Sequence, residues 1–207
     1  MSIEEGLQQA EQGYQKIYEA NSLTSSAIKN AFLFTWTWWL GIALIIIPWA
    51  LWFMFGKKES MGRLLLAGFT SMLLSTVIES VALSLGKWSY PFTIIPFFPV
   101  LDIVFDWCIL PVAVMFFIQL KPNINPFIKA IVFGLLGAFI LEPIFEKLHF
   151  YNPKDWRHTY DFFIHSSIFL ISFWISTMSN FVEITKSDEN VKREYNLNFL
   201  RKKEKIR

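Results

Sequence analysis

The chain has 207 residues, 54% of them hydrophobic and 18% aromatic, with a net charge of +2. Its apolar residues form long unbroken runs, not the short periodic patches of a soluble core, which is the signature of a membrane protein. The small net charge argues against a nucleic-acid partner, the single Cys108 excludes an internal disulfide and a cysteine-based metal cage, and the polar N-terminus lacks the early apolar core of a cleavable signal peptide.

In chain order, residues 1–30 come first. Ile3, Leu7, Ala10, Tyr14 and Ile17 recur there at helical spacing, with Glu and Gln between them. This predicts a soluble amphipathic helix that lies on the membrane or on its own bundle, or that docks a protein partner. Five apolar stretches follow, over residues 34–55, 62–85, 97–120, 127–148 and 160–181. At about 1.5 Å per residue each is long enough to cross a bilayer core. In lipid the backbone must satisfy its own hydrogen bonds, so all five are predicted as helices, with Pro48, Pro111 and Pro143 as kinks. The expected fold is all-α: residues 31–181 form an integral membrane bundle of five transmembrane helices. Trp36, Trp38 and Trp39 at one end of the first span, and Trp49 and Trp52 at the other, suit an aromatic belt.

The second loop, residues 87–96, reads KWSYPFTIIP and runs into a third proline at Pro99. That rules out a regular helix, and its apolar content predicts that it lies in the interface or folds back on the bundle. Residues 182–207 are highly charged and end in RKKEKIR, a basic tail suited to an anionic membrane surface. Eight basic residues in that tail, with Lys57, Lys58, Arg63, Lys121 and Lys129, outweigh Lys16, Lys29, Lys87, Lys147, Lys154 and Arg157 on the other side. The balance predicts a multi-pass cell-membrane protein with its N-terminus outside and its C-terminus cytoplasmic.

Threading the chain back and forth brings six acids to one end: Glu79, Asp102, Asp106, Glu142, Glu146 and Asp161. Charges at membrane depth are costly and are seldom kept without a partner or a task. Two polar stripes support a shared interior. Gly68, Ser71, Ser75, Glu79 and Ala82 align on the second span, and Asp161, His165, Ser172, Ser176 and Ser179 on the fifth. On the fourth span Ala130, Gly134, Gly137 and Leu141 make a small-residue face that Glu142 borders, so Glu142 is expected inside and Glu146 snorkelling outside. Asp102 and Asp161 also have a plainer reading as helix caps. Glu79 and Glu142 lie at helix C-terminal ends, where the dipole disfavours an anion, so capping cannot explain them. His165 follows Asp161 by one turn, which allows an Asp–His pair, while Lys147, Lys154 and Arg157 are candidate counter-ions. His149 and His158 read as solvated loop residues. Closely spaced acids cannot all ionise cheaply, so a shared proton or a bound cation is expected in this layer.

Trp88-Ser89-Tyr90, the acid-then-proline helix from Asp102 to Pro111, Glu142, and the aromatic loop from Tyr151 to Trp156 resemble a family of small, uncharacterised multi-pass membrane proteins of endospore-forming bacteria. The resemblance covers roughly residues 60–181. It implies a bacterial membrane bundle and no particular reaction. The N-terminal helix and the basic tail depart from the compact family pattern.

Three functions fit these residues. The first is action on, or binding of, a lipid or isoprenoid near the outer face. There Glu79, Asp106 and Glu142 are the candidate acids, Asp102, Asp161, His165 and Trp107 the candidate binding residues, and Phe105 and Phe145 part of an apolar lining. The second is a non-catalytic membrane subunit or scaffold. The third is a cation or proton site in a transporter or sensor, where the carboxylates and His165 suit a divalent ion such as Zn²⁺. A P-loop, a nucleophile elbow and an HExxH motif are all absent from the sequence, which argues against the commonest ATPase, serine-hydrolase and zincin chemistry.

Overall fold

Helix formation accounts for most of this chain, beginning two residues from its start. The structure is a computed structural model that describes residues 1–96 and 102–178. Helix α1 spans Ile3–Ala27 and opens on a capping box: Ser2 Oγ accepts from the Glu5 N–H at 3.1 Å, and Glu5 Oε2 accepts from the Ser2 N–H at 2.7 Å. None of its residues is buried, and Ile3, Leu7, Tyr14 and Ile17 stand exposed on the predicted apolar face. A π-helical turn, Ile28–Phe32, follows and buries Ile28 completely.

Helix α2 spans Trp36–Phe55 and buries only Gly41 and Trp52, as suits the span with no polar stripe. Trp52 packs with Leu64, Val112 and Met115. Helix α3 spans Met61–Ser84. The next helix begins at Asp102 with a π-helical stretch, Ile103–Ile109, and continues as α4, Leu110–Gln119. Pro111 is the second residue of α4 and lacks an N–H inside this continuous helix, and the π-helical register directly precedes it. Helix α5, Pro126–Leu136, passes through a third π-helical turn, Gly137–Leu141, into α6, Glu142–Lys147. Helix α7 spans His158–Thr177. The all-α expectation holds, with one small addition: strand β1 (Trp88–Ser89) pairs antiparallel with β2 (Asn152–Pro153).

Among the described residues, three helices are long and apolar enough to cross a membrane: Trp36–Phe55, Lys58–Ser84 and Pro126–Lys147. Ile103–Gln119 is a shorter apolar helix. Residues 97–101 of the expected third span, Ser179 and the basic tail 182–207 lie outside the described residues.

The core joins α3, α4, α5 and α7 through Ala67, Leu110, Val114, Ala130, Phe133, Ile168 and Phe169. Helices α5 and α7 approach most closely at Gly134, where a Cβ would collide with Ser166 Oγ and sit 2.7 Å from the Phe162 carbonyl oxygen. Ser166 Oγ uses this closeness to donate to the Ala130 carbonyl at 3.1 Å. Lys129, counted among the basic residues on the side of the tail, is buried, and its ammonium donates to the carbonyls of Phe117, Ile118 and Leu120 at 2.8, 3.2 and 2.6 Å. A cation there satisfies the orphan acceptors and the negative dipole end of α4.

At the other end of the bundle Trp88, Ile94, Val104, Phe145, Phe150 and Tyr151 form an aromatic layer. The second loop folds back onto it, held by the β1–β2 ribbon, by the Phe92 N–H on His149 O at 3.0 Å, and by the Trp38 indole N–H on Ile94 O at 3.1 Å.

Candidate functional site

The buried face of α3 is Leu64, Ala67, Gly68, Ser71, Ser75, Glu79 and Ala82, so the predicted stripe points inward along its whole length. Helix α7 buries Asp161, His165, Ser172 and Ser176 together with Ile168 and Phe169. Both stripes follow from helical periodicity alone. The other two helices reach the site through π turns, which are rare and often sit at functional positions. Asp106 lies inside the first one and Glu142 directly follows the second. An extra residue in a turn rotates everything after it. The buried face therefore passes from Gly134 to Ala138 and Glu142 rather than to Leu141, and Glu142 is fully turned in.

These four helices and the aromatic loops enclose a cavity of about 60 Å³. At about 10–15 Å³ per water-sized sphere it holds a few waters or a small hydrated ion. Its polar lining divides in two. On one side Asp102 caps its helix: Oδ1 accepts from the Phe105 N–H at 3.0 Å, while its own N–H donates to Glu79 Oε1 at 3.0 Å. The capping reading of Asp102 is correct, and the residue lines the cavity as well. Asp106 lies beside Glu79 and Ser75. Glu79 Oε2 and Asp106 Oδ2 are buried without a hydrogen-bond partner.

On the other side His158 Nδ1 meets Glu142 Oε2 at 3.0 Å and lies 3.9 Å from Asp161 Oδ2. His165 Nδ1 lies 3.7 Å from Glu142 Oε1. Asp161 does not cap α7 and is not paired with His165; its Oδ1 accepts from the Trp156 indole N–H at 2.7 Å. The pairing expected from the one-turn spacing goes to Glu142 instead, because the π turn brings that carboxylate between the two histidines. Glu146 is half-exposed, as expected of a snorkelling residue, with Oε2 3.7 Å from His158 Nε2. Lys147, Lys154 and Arg157 supply no counter-ion: among the described residues, every ion pair to these acids comes from a histidine.

Two assignments need correction. His158 is not a solvated loop residue but the first residue of α7, and it faces Glu142, Glu146 and Asp161. The signal was present in its position three residues before Asp161, which places both on one helix face. Trp107 stands apart from the cavity, 40% exposed, with its indole N–H on Thr76 Oγ1 at 3.2 Å. Phe105 and Phe145 do line the cavity.

Trp88, Tyr90 and Tyr151 roof the cavity from the loops. Burial holds the Tyr90 hydroxyl well above its ordinary range, and Asp102, Glu79 and Asp106 add to the effect. Tyr151 is raised in the same way, by burial and then by Asp161, Glu142 and Glu146. Each tyrosine thus senses one half of the acid layer.

A second, apolar cavity of about 220 Å³ lies between α4 and α5 and is lined by residues such as Ala113, Phe117, Leu136 and Ile140. Phe105 and His165 line both cavities. No family model, no curated protein and no solved structure matches this chain.

Proposed function

We propose that this chain is a five-span membrane protein that seats the polar end of a lipid or isoprenoid among its buried carboxyls. The supporting observation is the pair of adjoining cavities. The apolar one, of about 220 Å³, suits part of a hydrocarbon chain, and it meets the acid-lined one at Phe105 and His165. A carboxyl held in such a site can donate or accept a proton at the ligand's polar end, and Glu79, Asp106 and Glu142 are the residues placed to do so. In this reading the helix through Asp106 and α7 are the third and fifth spans, beside the three long apolar helices. The protein lies in a bacterial cell membrane, as the family it resembles implies, with its N-terminus outside by the balance of lysines and arginines.

The test is organic extraction of the purified protein followed by mass spectrometry of the extract. A co-purifying lipid that disappears in Ala113→Trp, which fills the apolar cavity, supports the reading. An unchanged lipid profile in that variant refutes it. Single cysteines placed at Ser2 and in the tail, in a Cys108→Ala background, should label from opposite sides of the membrane.

A scaffolding role keeps one observation of its own. The exposed apolar residues of α1 recur at alternating spacings of four and three, from Ile3 through Leu7, Ala10 and Tyr14 to Ile17, which is the seam of a two-stranded coiled coil. Gly13 on this helix has open space around it, so nothing within the chain requires a glycine there. A partner helix with the same repeat fits this face, and deletion of residues 1–30 should abolish that assembly.

A further inference from the structure

Three groups on the α6–α7 side of the cavity have a property that lipid binding does not account for. Glu142 is the first residue of α6. His158 and Asp161 are spaced by three on α7 and so share one face. One ligand atom each from Glu142, His158 and Asp161 lies within 4.8 Å of the other two. His158 Nδ1 stands 3.0 Å from Glu142 Oε2 and 3.9 Å from Asp161 Oδ2. Tetrahedral ligands on an ion with bonds of about 2.0–2.1 Å stand about 3.3 Å apart, which these distances bracket.

We propose that Glu142, His158 and Asp161 bind one Zn²⁺ ion and leave its fourth position open to the cavity. Asp161 Oδ2 lines the cavity and is buried without a hydrogen-bond partner, the residue being 5% exposed, and a metal would satisfy it. Charge also balances. Two carboxylates buried with no lysine or arginine partner among the described residues are costly, and a divalent ion with one neutral imidazole neutralises them. The surrounding groups are those that orient metal ligands: Trp156 donates to the other oxygen of Asp161 at 2.7 Å, and the Glu146 carboxylate faces the second nitrogen of His158 at 3.7 Å. One imidazole with two carboxylates suits a first-row ion. Calcium would need six to eight oxygens at longer distances.

The inference does not depend on the lipid reading. The test uses tag-free, full-length protein in detergent, stripped with EDTA and titrated with ZnCl₂. About one equivalent of Zn²⁺ should bind, and reloading with Co²⁺ should give the visible absorption of a four-coordinate ion. His158→Gln and Asp161→Asn should each weaken binding at least about 100-fold, and Glu146→Gln about 10-fold, since outer partners are worth about 10–100-fold. Glu59→Gln, on the connection before α3, should change nothing. His158 lies at the half-buried rim, so its variant retains the fold, and the Co²⁺ spectrum needs no variant at all. Wild-type protein of unchanged size-exclusion profile that binds no Zn²⁺, or wild-type affinity retained in both ligand variants, overturns the proposal. Lipid extracted from the metal-stripped protein reads the other proposal separately.

Discussion

Replacing Gly134 with alanine adds a single methyl where α5 and α7 pack closely. That Cβ would collide with Ser166 Oγ and lie 2.7 Å from Phe162 O and 3.0 Å from Phe162 Cδ2. A serine can rotate away, but a backbone carbonyl cannot, so α5 and α7 must separate. Overpacking of this kind costs roughly 1–3 kcal/mol. Separation also breaks the Ser166–Ala130 hydrogen bond, and interhelical bonds in membranes are worth about 0.6 kcal/mol on average and up to about 1.7. The expected destabilisation is therefore about 2–4 kcal/mol by unfolding in mixed detergent and SDS micelles. Gly62→Ala is the control, because a Cβ there meets nothing within 4 Å. The same displacement moves Gly137 relative to His165, whose Nδ1 would lie 2.9 Å from a Cβ at that glycine, so ligand binding at the cavity should weaken in parallel. If Gly134→Ala falls within about 0.5 kcal/mol of the parent, the range of an ordinary surface change, the close α5–α7 packing is wrong.

Lys129→Met keeps the aliphatic stem but strands three carbonyls, and should cost about 1.5–3 kcal/mol in the same assay, while Lys129→Arg should retain part of the stability. Trp156→Phe leaves Asp161 Oδ1 without its donor and should lower stability by about 1–3 kcal/mol, with little effect on α1 helicity by circular dichroism. Tyr90 and Tyr151 set an alkaline limit. Their folded-state hydroxyls titrate above the unfolded value, so the stability they contribute is complete below about pH 10 and is lost as pH rises beyond it. Stability measured against pH should fall above about 10 and fall less steeply in the Tyr90→Phe, Tyr151→Phe double variant; an identical slope would contradict the burial of both rings.

Local periodicity alone determined the helical class, the exposed face of α1, the polar stripes of α3 and α7, and the end of the bundle at which the acids gather. These follow from side-chain spacing at 100° per residue, which each segment carries within itself. Packing decided the rest. Pro111 and Pro143, each two residues past a π turn (Ile103–Ile109 and Gly137–Leu141), remove a backbone donor there, but Pro48 sits inside an α-helix, so the slip from one hydrogen-bond register to the next depends on what the helix packs against. That slip turned Glu142 inward and gave it to His158 and His165, where sequence spacing had paired His165 with Asp161. Tertiary contacts also drew His158 and Lys129 inside and left Trp107 facing out, since a polar side chain is buried only where a distant segment brings its partner. The six acids of the sequence thus became two groups with different neighbours: Glu79, Asp102 and Asp106 beneath Tyr90, and Glu142 and Asp161 between two histidines, with Glu146 behind one of them.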